Sequence, residues 1–220
     1  MSNSLVPVHE LGMVSKYSTD DAFNQLAGSA SFLPRVMLMG GNSKLVQTGD
    51  MTPGCYALIK GSNDNFVDLG REFNFLALAW RPKAMDVSDT EDVVSVYDNE
   101  SEDFKAIVVK SATSDSGCMY GPEFLIWVPE QGFATFFMSS KTSRREAPNL
   151  LPIAKIGGAA TLKSQLIKTK KFNWHGPVVT SCTEPFAALP DAEEVSLQLK
   201  AFNNPPERQV EKAPTDARAT

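Results

Sequence analysis

The chain has 220 residues, 42% of them hydrophobic and 21% charged, with a formal net charge of −5. These values fit an ordinary folded domain and exclude collagen-like and wholly disordered chains. No apolar run approaches the roughly 18–20 residues needed to cross a bilayer, and no basic start followed by an apolar run opens the chain, so no membrane contact and a cytoplasmic setting are expected.

In chain order, residues 1–17 read as an N-terminal arm. "STDDAFNQLAGSA" then predicts a short helix, with Ser18 or Thr19 accepting from first-turn amides and Asp20 and Asp21 at its positive end. Short apolar runs bounded by Gly, Pro, Asn and Asp follow and predict strands: Arg35–Met39, Cys55–Gly61, Asn74–Trp80, Val93–Asp98 and Phe104–Lys110. Pro82 is expected to stop the Asn74–Trp80 strand. "EFLIWVP" and "FATFFMS" are joined through Glu130-Gln131-Gly132, a short hairpin link. The segment between them and Ala160, with Arg144-Arg145 and Gly157-Gly158, reads as a long mobile loop. Ala160–Cys182 fits a helix at its start and strands over Thr169–Cys182. "PDAEEVSLQLKAF" predicts a last helix, with Asp191 as cap and Glu194 as its capping-box partner. Residues 204–220 have the composition of a disordered tail.

Seven or eight short strands with one or two short helices predict a mainly β domain over residues 18–203. An OB-like barrel with inserted loops is the expected architecture, and a β-sandwich is the alternative. Cys55, Cys118 and Cys182 are odd in number, far apart and without CxxC spacing, so free thiols are expected, with no disulfide framework and no zinc site.

Charge is divided along the chain. Ala84–Glu130 holds eleven acids and two bases, a balance of −9, whereas Ser139–His175 holds eight bases and one acid, a balance of +7. The two segments could neutralise each other across a sheet, or the basic one could meet an anionic partner. Arginine forks, hydroxyls and glycines in "SSKTSRRE" and after it suit phosphate oxygens, which selects Lys141, Arg144 and Arg145. In "QLIKTKKFNWHGP", an extended chain would place Lys168, Lys170, Phe172 and Trp174 on one face and Thr169, Lys171, Asn173 and His175 on the other. Aromatic faces bordered by ammonium groups match a single-stranded nucleic acid, whose bases stack while its phosphates release counterions. Arg81 and Lys83, at the end of a buried strand, are candidate binding-face cations. Phe137 is a candidate second platform and Tyr120 a candidate stacking residue. Trp80 and Trp127 read as core.

Catalysis finds little support. His9 and His175 are the only near-neutral bases, no GxSxG or GxxxxGK[ST] motif occurs, and the acidic run "DVSDTEDVVSVYDNESED" lacks calcium-loop spacing. No catalytic residue, metal or cofactor is expected. Strand-rich organisation, an N-terminal arm and the basic-aromatic stretch resemble the single-stranded DNA-binding proteins of tailed bacteriophages. "FLPRVMLMGGNSKLV" and "DLGREFNFLALAWRPKAMD" are similar in style to phage-encoded proteins. The resemblance implies an OB-type barrel and a non-catalytic role in replication or recombination, in the host-cell cytoplasm, with replication proteins as further partners. It is organisational over residues 30–200 and transfers no functional residue. Many such proteins end in an acidic tail closed by an aromatic residue, whereas this chain ends "EKAPTDARAT". Single-stranded DNA is the expected partner, with RNA and self-association left open. A viral structural protein built on a β-sandwich is the alternative.

Overall fold

The computed structural model describes residues 33–61, 65–89, 92–113, 115–184, 186–205 and 208–212. The expected arm, the helix within residues 18–30, and His9 lie outside them. Among the described residues, ten strands and four helices follow in the order β1 (Arg35–Leu38), α1 (Lys44–Gln47), β2 (Tyr56–Ile59), β3 (Phe66–Gly70), β4 (Glu72–Asp86), β5 (Asp92–Val96), α2 (Glu102–Lys110), β6 (Cys118–Val128), β7 (Gly132–Phe137), α3 (Lys141–Lys155), β8 (Ala159–Lys168), β9 (Asn173–Ser181), α4 (Ala192–Asn203) and β10 (Arg208–Lys212). The mainly β class stands. The strands join in one open mixed sheet, ordered β10-β5-β4-β6-β7-β1-β2-β3, with the β8–β9 hairpin branching from β4. This replaces both the closed OB-like barrel and the sandwich of two sheets. All pairings are antiparallel except β1 with β7. Within the segment expected to be a tail, Arg208–Lys212 pairs with β5.

Successive residues of the central strands enter different cores, as strand alternation requires. Phe75, Ala77, Phe124, Ile126, Ala134 and Phe136 pack on one face with Ala147, Leu150 and Ala154 of α3. Leu76, Leu78, Leu125, Trp127 and Phe133 pack on the other face with Val195 and Phe202 of α4. A sheet covered on both faces explains the near-continuous apolar runs of β4, β6 and β7.

β4 is far longer than expected. One of its edges pairs with β6 from Leu76 to Asp86. The other pairs with β8 over Glu72–Leu76 and with β5 over Ala84–Asp86. A register shift between Ala77 and Ala79 marks a bulge, which lets the strand bend and twist along this length. Pro82 does not end the strand. It stands opposite Pro122, whose carbonyl accepts from Met138 N on the far side at 2.9 Å. The two prolines therefore form a pair that exchanges no backbone hydrogen bonds, and their missing N–H groups leave the β4–β6 ladder intact.

Two helices replace other expectations. Phe104–Lys110, expected as a strand, belongs to α2. Ser101 caps it by accepting from Phe104 N at 3.2 Å, Glu102 and Asp103 occupy its first turn, and Phe104 and Ile107 pack on Ala84 and Val96. Its apolar run fits both periods, and the cap decides between them. The segment expected as a mobile loop is α3, capped by Ser140, which accepts from Ser143 N at 3.0 Å. Pro148 and Pro152 lie inside α3 but on its exposed side, while Ser143, Ala147, Leu150 and Ala154 form the buried stripe. The last helix is as expected: Asp191 accepts from Glu193 N and Glu194 N at 2.9 and 3.1 Å.

An ionic cluster joins the α4 face together. Glu123, 2% exposed, accepts from Arg81 Nε at 2.8 Å and Lys83 Nζ at 2.8 Å. Arg81 also donates to the Phe202 carbonyl near the C-terminus of α4 at 2.6 Å, and its guanidinium lies 3.9 Å from the Tyr97 ring and 4.1 Å from the Phe202 ring. A buried lysine and a half-buried arginine thus share one carboxylate and the Tyr97 face, and the arginine adds a helix-end carbonyl. Replacing Glu123→Ala should lower the unfolding free energy in urea by about 3–5 kcal/mol, because both cations lose the carboxylate they share. Lys83→Met should cost clearly less, since one Arg81–Glu123 pair remains. Equal costs for the two variants would contradict this division.

Candidate nucleic-acid interface

The basic-aromatic stretch is a β-hairpin. β8 and β9 pair from Ala160↔Ser181 to Lys168↔Asn173, and Lys170 and Lys171 form the tip. Thr169 closes the turn: its N–H donates to the Phe172 carbonyl at 2.9 Å, and its hydroxyl donates to that carbonyl at 2.8 Å and accepts from Phe172 N at 3.0 Å. The extended reading of this segment holds, but the shared face of Lys168, Lys170, Phe172 and Trp174 does not. Lys168 lies across from Asn173 and Trp174 across from Ile167, so Lys168 and Trp174 project to opposite faces of the hairpin. The turn brings the four residues to one end of the molecule. Phe172 is 70% exposed there and Trp174 40%.

The first turn of α3 lies against this hairpin. Trp174 Nε1 donates to Thr142 Oγ1 at 3.3 Å, and Glu146 Oε2 accepts from Val179 N at 3.2 Å on β9. The same turn reaches the start of β6. Arg144 Nη1 donates to the Tyr120 carbonyl at 3.0 Å and to the Ser139 carbonyl, and its guanidinium lies 4.2 Å from the Tyr120 ring. α3 therefore links Tyr120 to Trp174, two aromatics 54 positions apart in sequence. Lys141 and Arg145 are exposed on that turn, and Lys168, Lys170 and Lys171 are exposed beside it in the hairpin. None of these five cations forms an ion pair among the described residues. Arg144 differs from them, being committed to Tyr120 and Ser139.

Three expected site residues are elsewhere. Arg81 and Lys83 are held in the Glu123 cluster, and Lys83 is only 8% exposed. Phe137 pairs with Glu123 across β6–β7, and Lys83 Nζ lies 5.3 Å from its ring, so it stands in that cluster and apart from the hairpin end. The physical reason is the Glu123 carboxylate, which draws both cations to itself, with Phe202 of α4 packed on Arg81. Conversely, Trp80, read as core, is 40% exposed. Sequence reasoning missed Thr142 and Thr169; their signal was the hydroxyl content of "SSKTSRRE" and of the lysine run. His175 projects away from Trp174 and packs on Gly54, where a Cβ would stand 2.5 Å from the imidazole Cδ2. Gly54 has φ +87°, which glycine alone adopts without strain.

At the far end of β4, Asp86 and Cys118 face each other across the β4–β6 ladder. Burial opposes ionisation of Asp86, but hydrogen bonds from Ser88 and Cys118 and the Lys110 ammonium outweigh it and hold its carboxyl below the usual range. Burial, then the Asp86 charge and hydrogen bond, push the Cys118 thiol up. Such a thiol stays protonated at neutral pH and is a poor nucleophile. Because the folded carboxyl is the stronger acid, Asp86 stabilises the fold above the ordinary carboxylate range, and that contribution fades as pH falls through its folded value. Asp86→Asn should therefore flatten the acid limb of a stability–pH profile and speed alkylation of Cys118 by iodoacetamide, read by peptide mass spectrometry. An unchanged acid limb and unchanged labelling would contradict the coupling. Among the described residues no helix is long and apolar enough to cross a membrane, and no group of three or more His, Cys, Asp or Glu side chains could hold a metal ion. Comparison with protein-family models, with curated proteins and with solved structures returned no match.

Proposed function

We propose that the protein is a non-catalytic binder of single-stranded DNA, acting in a phage-like replication or recombination setting in the host-cell cytoplasm. The observation that carries this reading is the hairpin end. Phe172 and Trp174 stand exposed among five cations that have no acidic partner among the described residues. Large exposed rings are costly to leave in water, and unpaired like charges repel one another. Both costs fall when a polyanion with stackable bases binds. A duplex keeps its base faces stacked within itself, so the rings favour an unpaired strand. In this reading the open sheet supports the hairpin and the start of α3, which bring these side chains to one end of the molecule. RNA offers the same bases and phosphates, and competition between the two separates them.

Titrating oligo-dT into the protein should quench tryptophan fluorescence, with an affinity that falls as salt rises. Trp174→Ala should weaken binding by about 1–3 kcal/mol. The Lys170→Gln/Lys171→Gln double variant should lower the magnitude of the log–log salt slope by about 1.4, roughly 0.7 for each lost phosphate contact on a single strand. Absence of quenching together with salt-independent behaviour at micromolar protein would remove the basis for this function.

A further inference from the structure

We infer that Thr142 and Gly176 are positioning residues that hold the Trp174 indole as a fixed platform for one unpaired base, while Phe172 is an adjustable one. The inference rests on the nucleic-acid reading above. Trp174 is tied by one hydrogen bond and has Ile167 and Gly176 on its own face of the hairpin. Its indole N–H donates to Thr142 Oγ1 at 3.3 Å, which ties the ring edge to the first turn of α3. Ile167 is its direct cross-strand neighbour and stands on the same face of the hairpin. Two residues further along that face is Gly176, where a Cβ would lie 2.6 Å from Thr142 Cγ2 and 2.9 Å from Ile167 Cδ1. Contacts that short are not tolerated, so any side chain at position 176 would push Thr142 and Ile167 away. The glycine therefore lets α3 come close enough for the Thr142 hydroxyl to reach the indole.

Phe172 is held differently. The Thr169 hydrogen bonds fix its backbone at the turn, and the residue is 70% exposed. One ring is thus oriented before a ligand arrives, and the other is free to follow it. A ring already oriented loses less rotational freedom on binding, so its contribution to affinity depends on the contacts that orient it. Gly176, inside β9, is the site of this close approach.

The test uses the full chain with tryptophan indoles labelled by ¹⁵N. The chain has three tryptophans, and Trp174→Phe identifies the signal of Trp174. Thr142→Val removes the acceptor while keeping the shape, and should shift that one indole signal, speed its hydrogen exchange and weaken oligo-dT binding about 2- to 10-fold, the range of a single hydrogen bond. Thr142→Ser keeps the acceptor and should restore the indole signal and the affinity. Gly176→Ala should disturb the same signal, and unchanged Trp80 and Trp127 signals would show that the variant is folded. If Thr142→Val leaves both the indole signal and the affinity as in the parent while Trp174→Ala weakens binding, the positioning role is wrong and the nucleic-acid reading survives. If the parent does not bind oligo-dT, or Trp174→Ala binds as well as the parent, both fall.

Discussion

The fold depends on how β4 is paired. At about 3.3 Å per residue, a strand of 15 residues runs roughly 50 Å, longer than any neighbour in this sheet. β6 follows most of one edge, while β8 and β5 divide the other between them. The stretch between those two partners carries Arg81 and Lys83, and there side chains bind what backbone pairing does not. Glu123 draws both cations to β6, and Arg81 continues to the end of α4. α4 packs on that face and α3 on the other, with the first turn of α3 at the hairpin.

The positive and negative segments of the sequence therefore have separate fates. Two bases from the buried strand neutralise Glu123, Lys110 reaches Asp86 at 3.8 Å, and Lys163 pairs with Glu72 at 2.8 Å. Lys168, Lys170 and Lys171 at the hairpin tip, with Lys141 and Arg145 of α3, form no ion pair among the described residues, although the chain as a whole is acidic. Net charge describes the average field, whereas a ligand meets the local one. Holding unpaired cations beside exposed rings costs the free protein some stability, a cost that the proposed polyanionic strand would relieve.

Much of this was legible in the sequence. The short apolar runs between turn residues located β1, β2, β5, β6 and β7, and Asp191 located the start of α4. The hairpin loop before Gly132 was also correct: Glu130 takes a left-handed φ of 64° there. What misled was local chemistry overruled by packing. "FKAIVVK" has β-formers, but Ser101 and two acids at its start favour a helix once Phe104 and Ile107 have a sheet to pack on. α3 was hidden by Pro148 and Pro152, which are tolerated because both sit on its solvent side. Pro82 looked like a strand end because its partner, another proline, lies 40 positions away. The site was legible in composition but not in geometry. The lysines and aromatics were visible as a cluster, whereas the turn at Lys170-Lys171 and the closure by Thr142 depend on contacts between distant segments. Arg81 and Lys83 could be seen as cations; that Glu123 would bury them could not.

The central claim is that unpaired bases stack at the hairpin and the first turn of α3. Photocrosslinking with an oligonucleotide carrying 5-iodouracil, followed by peptide mass spectrometry, reports directly which rings the bases touch. The account predicts crosslinks at Trp174 and Phe172, with Tyr120 as the next site, all lost in high salt. Crosslinks confined to Trp80 or to the α4 face, with none in the β8–β9 hairpin, would contradict it.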